Sequence, residues 1–302
     1  MIKLPSGIDI NNLIDDLIMF SWEAADILLF YSKILKDSNY KSNILKNGNI
    51  DDPVTLADLK VNELIIQRIT EKYKDTKWDI LSEENVKVSS ESFNSNNDWI
   101  WILDPLDGTK DFIQGTENYA MHLALNYKKR PYLGFVLIPE KGELWISDSQ
   151  KVWVQKRDGS KIEPKLPKSK ILQEQILVTS KNHNNKTLQN LIQKLNFRGV
   201  IVMGSIGCKI ATIVRGETDI YICLSLPGKS SPKDWDFAAP ESILTGAGGA
   251  ITNIDNQKLS YGKSNFEQGG IIIASNNYLK HGSICLEIKK IIKKYDLYPL
   301  LS

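Results

Sequence analysis

Apolar residues recur at spacings of three and four through Leu13, Leu17, Phe20, Ala24, Ile27, Leu28 and Tyr31, which predicts a helix over residues 9–37. A polar stretch, "KDSNYKSNILKNGNIDDPV", interrupts the pattern. Thr55 and Asp58 then form a start resembling a capping box, and Val61, Leu64, Ile65 and Ile69 carry a second helix to about Tyr73. Beyond that point the period drops to two. "WDILS", "WIWIL", "YAMHLALNY", "RPYLGFVLIP", "GELWIS" and "KVWVQ" read as strands, and the turn residues between the later ones predict antiparallel neighbours. "VKVSSESFNSNND", between the first two strands, is a polar loop. The Lys/Pro-rich run "KRDGSKIEPKLPKSK" marks a boundary near residue 165.

Downstream the pattern becomes α/β. "ILVTS" is a strand, 185–195 a helix and "GVIVM" a strand. A helix over Ile206–Val214 is opened by Gly204-Ser205, and "DIYICL" is the next strand. A helix from Trp235 to about Thr245 precedes the strands "GGAITN" and "GGIIIAS", and a terminal helix runs from about 276 to 294. The expected organisation is an α/β (α+β) chain. An N-terminal half, 1–165, holds an antiparallel sheet, and a C-terminal half, 166–302, is α/β.

Composition narrows the class. The 302 residues are 42% hydrophobic and 25% charged, enough apolar material for a large packed core, and the net charge of +2 gives no bias toward nucleic acid or membranes. Three distant cysteines and three scattered histidines argue against a disulfide framework and a His- or Cys-based metal site. The most apolar early run carries Asp15, Asp16, Glu23 and Asp26, so it is not a membrane span. These features predict a soluble cytoplasmic protein, with no nucleic-acid or membrane partner. "KKIIKKYD" reads as the solvated face of the last helix.

The acids change the picture more. Asp51/Asp52 precede "PVT", Glu83/Glu84 follow "ILS", Asp104 and Asp107 end "WILDPLD", and Asp234/Asp236 sit in "KDWDFAAP". Each has a plainer explanation alone: a loop end, a solvated pair, a Pro-Gly turn, helix N-caps. Together they stand where apolar runs end or helices begin, as one site would need. If "WDILS" and "WIWIL" lie side by side, Glu83 and Asp104 emerge at the same sheet edge. Several carboxylates at one locus raise one another's pKa, and a divalent cation relieves this; oxygen-only ligands favour Mg²⁺. Pro105 lets Asp104 and Asp107 face one locus, and the Leu106 carbonyl is a further hard ligand. Gly108 and Thr109 offer N–H groups to a phosphate if a helix starts there. Water held by Glu83 and Thr109 would be the nucleophile for phosphate-ester hydrolysis.

"DPVTLAD", "LSEEN", "WILDPLDGTKDF" and "WDFAAPESILTGAGG", in that order, resemble the signature blocks of the Mg²⁺-dependent, lithium-sensitive phosphatases of the inositol monophosphatase superfamily. That superfamily includes inositol monophosphatases, fructose-1,6-bisphosphatases and 3′(2′),5′-bisphosphate nucleotidases. "DGTKDF" and "GSIGCKI" look most like the CysQ-type nucleotidases, which take adenosine 3′,5′-bisphosphate to AMP. The resemblance implies a layered αβαβα fold with the site between the halves, and two or more Mg²⁺ ions. Glu83, Asp104, Asp107, Asp236 and the Leu106 carbonyl would be ligands. Asp52 would pair with catalytic Thr109, beside catalytic Glu83. Gly108, Thr109, Lys110, Gly204, Ser205, Lys209 and Asp236 would hold the substrate, with Lys209 facing its second phosphate. One departure stands: the loop aspartate of several nucleotidases falls at Ile50 here, so Asp52 is preferred and Asp51 stays open. The resemblance leaves the chain a monomer or homodimer with a small phosphorylated substrate. Inositol or sugar phosphate on the same scaffold is the second reading, and a binding regulator without turnover the third.

Overall fold

The computed structural model describes residues 3–36, 56–88, 93, 95, 97–148, 150–168, 170–181 and 185–300. Helices α1 (Ile10–Lys36) and α2 (Leu56–Lys72) follow the three-four periodicity. A seven-stranded sheet comes next: β1 (Asp79–Ser82), β2 (Trp99–Asp107), β3 (Ala120–Tyr127), β4 (Arg130–Ile138), β5 (Glu143–Ser147), β6 (Val152–Lys156) and β7 (Lys161–Ile162), paired in chain order. Neighbours from β2 onward are antiparallel, as the tight turns dictate. β1 differs from the antiparallel expectation, because it pairs with β2 in parallel. The connection from β1 to β2 contains helix α3 (Glu83–Val88) and is long enough to bring the chain back to the same end. β2 also runs further than its apolar stretch, through Asp-Pro-Leu-Asp, with a break in register between Asp104 and Asp107. Such an irregularity accommodates Pro105 and re-aims the side chains beside it.

The second sheet has β8 (Ile176–Ser180), β9 (Gly199–Met203), β10 (Ile220–Leu224), β11 (Ala250–Asn253) and β12 (Ile271–Ser275) in the order β11-β12-β10-β8-β9. Its helices are α5 (Lys186–Leu195), α6 (Ile206–Val214), α7 (Asp234–Gly246) and α8 (Tyr278–Tyr295).

Strand alternation builds five layers. Trp101, Leu103, Leu123 and Phe135 face α1 and α2, where Leu13, Leu17, Val61 and Ile65 meet them. Ile102, Ala120, Ala124 and Val136 face the opposite way, onto α6 and α7, and the inner face of the second sheet closes this middle layer with Val178, Tyr221 and Ile272. Leu177, Ile220 and Ile222 point outward to Leu188, Leu191, Ile284 and Ile288 of α5 and α8. Each fully buried Leu or Ile contributes about 2 kcal/mol from area alone. The small residues on the inward face of the first sheet let α7 lie close: a Cβ on Gly134 would sit 2.5 Å from that of Ser242. Among the described residues no helix is long and apolar enough to cross a membrane.

Candidate active site

The parallel pairing of β1 with β2 sets the site. Ser82 lies opposite Leu103, so the next residues, Glu83 and Asp104, leave the same end of the sheet together. Asp104 is buried, and its Oδ1 accepts from the Leu106 N–H at 3.1 Å. Past the register break, Asp107 reaches the N-terminus of α6. Its Oδ2 accepts from the Ser205 hydroxyl at 2.7 Å, the Ile206 N–H at 2.5 Å and the Gly207 N–H at 3.3 Å. Unsatisfied helix-start donors and the positive end of the helix dipole hold a carboxylate well. That grip leaves Oδ1 for another partner. Asp236 stands in the first turn of α7, where its Oδ2 accepts from the Lys233 N–H at 2.6 Å. Carboxylate oxygens of Asp104, Asp107 and Asp236 all lie within 4.8 Å of one another.

These acids are in electrostatic conflict. Burial pushes Asp104 well above the usual carboxylate range, and the charges of Glu83, Asp107, Asp236 and Asp58 push the same way. Asp236 is raised well above its ordinary value by burial and then by Asp107. Burial also raises Glu83, against the pull of Lys87, whose Nζ is 3.0 Å away. Burial works against the charge on Lys87, yet Glu83, Glu84 and Asp58 hold it protonated. The donors facing one another are all oxygens, which suits a hard divalent cation and no soft one.

The family model described as "Inositol monophosphatase family" matches residues 13–293. The chain belongs to this family. Its members are metal-dependent phosphatases, and the carboxylate cluster is the part of this chain that fits such a cation. Curated relatives include 3′(2′),5′-bisphosphate nucleotidase CysQ of Buchnera aphidicola, 28% identical and covering 70% of this chain and 75% of its own. The CysQ nucleotidase of Aggregatibacter actinomycetemcomitans is 28% identical and covers 84% and 88%. Human 3′(2′),5′-bisphosphate nucleotidase 1 is 26% identical and covers 69% and 67%. Among solved structures, an IMPase of Thermotoga maritima superposes with a TM-score of 0.71 at 20% identity, over 94% of this chain and 99% of that one. An inositol monophosphatase of Anabaena (Nostoc) sp. PCC 7120 gives 0.70 at 21% identity, over 97% and 99%. At such identity the structures establish the inositol monophosphatase fold.

Against that family frame, the remaining sequence-predicted residues divide. Gly108 takes a left-handed backbone (φ 88°) just before helix α4 (Thr109–Gln114), and a Cβ there would meet the Asn118 carbonyl at 2.8 Å. The glycine is thus required by backbone packing as well as by any ligand. Thr109 is half-buried and donates its hydroxyl to the Leu106 carbonyl at 2.9 Å. Lys110, also half-buried, follows it in the first turn of α4. Asp51, Asp52 and Thr55 lie outside the described residues.

Three of the expected substrate residues also have work inside the fold. Ser205 is buried, with its hydroxyl on Asp107 and accepting from the Cys208 N–H at 3.1 Å, so it caps α6. Gly204 is a glycine because a Cβ would collide with the buried Asp111 carboxylate. Lys209 does not face outward. Every residue of α6 is buried in the middle layer, and the Lys209 ammonium donates to the Gly204 carbonyl, 5.4 Å from the centre of the Tyr221 ring. Asp234 turns away from the cluster, accepting from Gln268 at 2.6 Å and the Gly262 N–H at 2.5 Å; burial pushes it up to about 6.

Sequence reasoning passed over two groups. Asp58 reads as a helix-start residue, yet it is buried and its charge reaches both Asp104 and Lys87. Its spacing to Val61, Ile65 and Ile69 places it on the core face of α2, a signal present in the sequence. His122 is the other. It lies directly across from Asp104 in the β2–β3 register, which no single-strand pattern reveals.

Proposed function

We propose that this phosphatase removes the 3′-phosphate of adenosine 3′,5′-bisphosphate, giving AMP, with Mg²⁺ as its cation and sensitivity to lithium. The observation that carries the chemistry is the convergence of Asp104, Asp107 and Asp236 beside the Gly108–Thr109 helix start. The nucleotide is supported by the names of the curated relatives and by the Lys110-Asp111-Phe112 run after Gly-Thr. Glu83, Asp104, Asp107, Asp236 and the Leu106 carbonyl would hold two or more Mg²⁺ ions. When bound, they offset the charge that builds on the phosphate and on the attacking and leaving oxygens.

The chain's own groups do the rest. Thr109 orients the attacking water through its hydroxyl, which the Leu106 carbonyl already fixes in direction. Glu83, raised by burial and steadied by Lys87, accepts its proton. Asp52 is the acid that would pair with Thr109, and Asp58, whose charge reaches Asp104, adds to the field of the cluster. N–H groups at the start of α4, with Lys110, receive the phosphate. Burial of Asp104 keeps bulk water from screening its charge.

Phosphate release from adenosine 3′,5′-bisphosphate, inositol 1-phosphate and fructose 1,6-bisphosphate, measured side by side in Mg²⁺ with and without lithium, tests this reading. Preference for the nucleotide, abolished by lithium, is expected. Preference for inositol phosphate would overturn the substrate and leave the carboxylate chemistry standing.

A further inference from the structure

Three donors at the start of α6 hold Asp107 Oδ2. The fourth position is taken by His122 of β3, whose Nε2 lies 3.3 Å from that oxygen. The ring is fully buried, and Nε2 makes no hydrogen bond among the described residues, so its approach to Asp107 is a close contact of a nitrogen without any other partner. A buried polar nitrogen without a partner costs on the order of 1–3 kcal/mol, so its aim matters. Its other nitrogen, Nδ1, is 3.3 Å from the Trp235 carbonyl, one residue before Asp236. The ring therefore bridges the two elements that carry Asp107 and Asp236, and it grows from the strand position opposite Asp104. It is also clamped: a Cβ on Gly207 would collide with Nε2 and stand 2.7 Å from Val136 Cγ1. Both nitrogens face acceptors. A proton on Nε2 meets a carboxylate, which makes the stronger, charge-assisted contact.

We propose that His122 is a positioning residue that pins Asp107 through Nε2–H, so that the opposite oxygen stays turned toward Asp104 and Asp236. The role rests on the reading of this cluster as a cation site. Partners behind a ligating group typically change metal affinity ten- to a hundredfold when removed. A group that merely fills the core would change stability and leave cation affinity alone.

The test is calorimetric titration of Mg²⁺ and Mn²⁺ into the full chain, as wild type, His122→Leu and His122→Gln, alongside the Mg²⁺ dependence of phosphate release. The Leu variant is expected to bind cation about tenfold more weakly. Its kcat at saturating cation should stay near wild type, and Gln, which restores a donor, should recover most of the affinity. Equal cation affinity in wild type and the Leu variant overturns the proposal. If the Leu variant does not fold, His122→Asn, whose amide is too short to reach Asp107, takes its place with the same expected loss and the same overturning result. A wild-type chain that binds neither cation refutes the cation-site reading itself, and this inference with it.

Discussion

Helix α7 carries acids in two different circumstances. At its middle, Glu241 is answered in full: Arg130 pairs with it, and the Tyr261 hydroxyl donates to it at 2.5 Å. At its first turn, Asp236 accepts one backbone N–H and otherwise faces Asp104 and Asp107. Burial raises the pKa of both acids. Arg130 pulls Glu241 back, whereas for Asp236 the Asp107 charge adds to the burial. Glu241 has its compensation built into the chain, whereas Asp236 is left in conflict, as an acid that could hold a cation would be.

The largest expected contrast comes from swapping the two kinds of acid. Asp104→Asn should lower kcat/KM by about a hundredfold or more, since one of the carboxylates that would hold the cation is lost. The same change should leave or raise the metal-free melting temperature, because a buried like charge has gone. Steady-state kinetics and calorimetry on one preparation would check both, and an active Asn variant would break the comparison.

Glu241→Ala should do the reverse. It removes the partner of Arg130 and orphans the Tyr261 hydroxyl, for a loss of about 1–3 kcal/mol; the lower end applies to Arg130, which is partly exposed and can rehydrate. Activity at low temperature should remain near wild type. Denaturant unfolding reads the loss, and an equal fall in activity would show that the two regions are not separate.

The pH dependence sharpens the point. Asp104, Asp236 and Glu83 have folded values above their unfolded ones, so the folded state binds more protons. In chelator-treated protein this penalty is absent below about pH 4 and grows as pH rises through the raised values. Asp234 adds to it between about pH 4 and its value of about 6. The metal-free melting temperature should therefore lose ground between pH 4 and pH 8. Saturating Mg²⁺ should restore it at the upper end, where the carboxylates are free to bind.

The smallest effect lies far from the acids. The β3–β4 hairpin turns through Lys128 and Lys129, both left-handed at φ 46° and 65°, where Asn-Gly is the favoured pair. Lys128→Asn with Lys129→Gly should stabilise the chain by about 1 kcal/mol with no change in activity. No gain in the denaturation midpoint would mean that these lysines contribute something the turn geometry does not show.

Most elements were readable because burial imposes period. The three-four spacing of α1 and α2 and the alternation of β3 and β4 persist whatever the partner, and the acids at the ends of β1, β2 and α7 mark the site from local pattern alone. Asp58 was readable too, on the core face of α2, but its capping position offered a sufficient explanation and hid the second one. The structural partners of Ser205, Gly204 and Lys209 were hidden for one reason. A motif names the residues near a ligand but not which of them turn inward, and α6 lies in the middle layer with no face left for solvent.

Residue type and short-range spacing were enough for most of the elements, the phosphatase family and the acids of the cluster, but not for the short helices α3 and α4. The tertiary structure alone decided that β1 runs parallel to β2 and so sets Glu83 beside Asp104. It alone closed Asp107 against α6 and brought His122 up beneath it. Those relations join residues far apart in the chain, and they are fixed by sheet register and layer packing, for which no local pattern carries a signal.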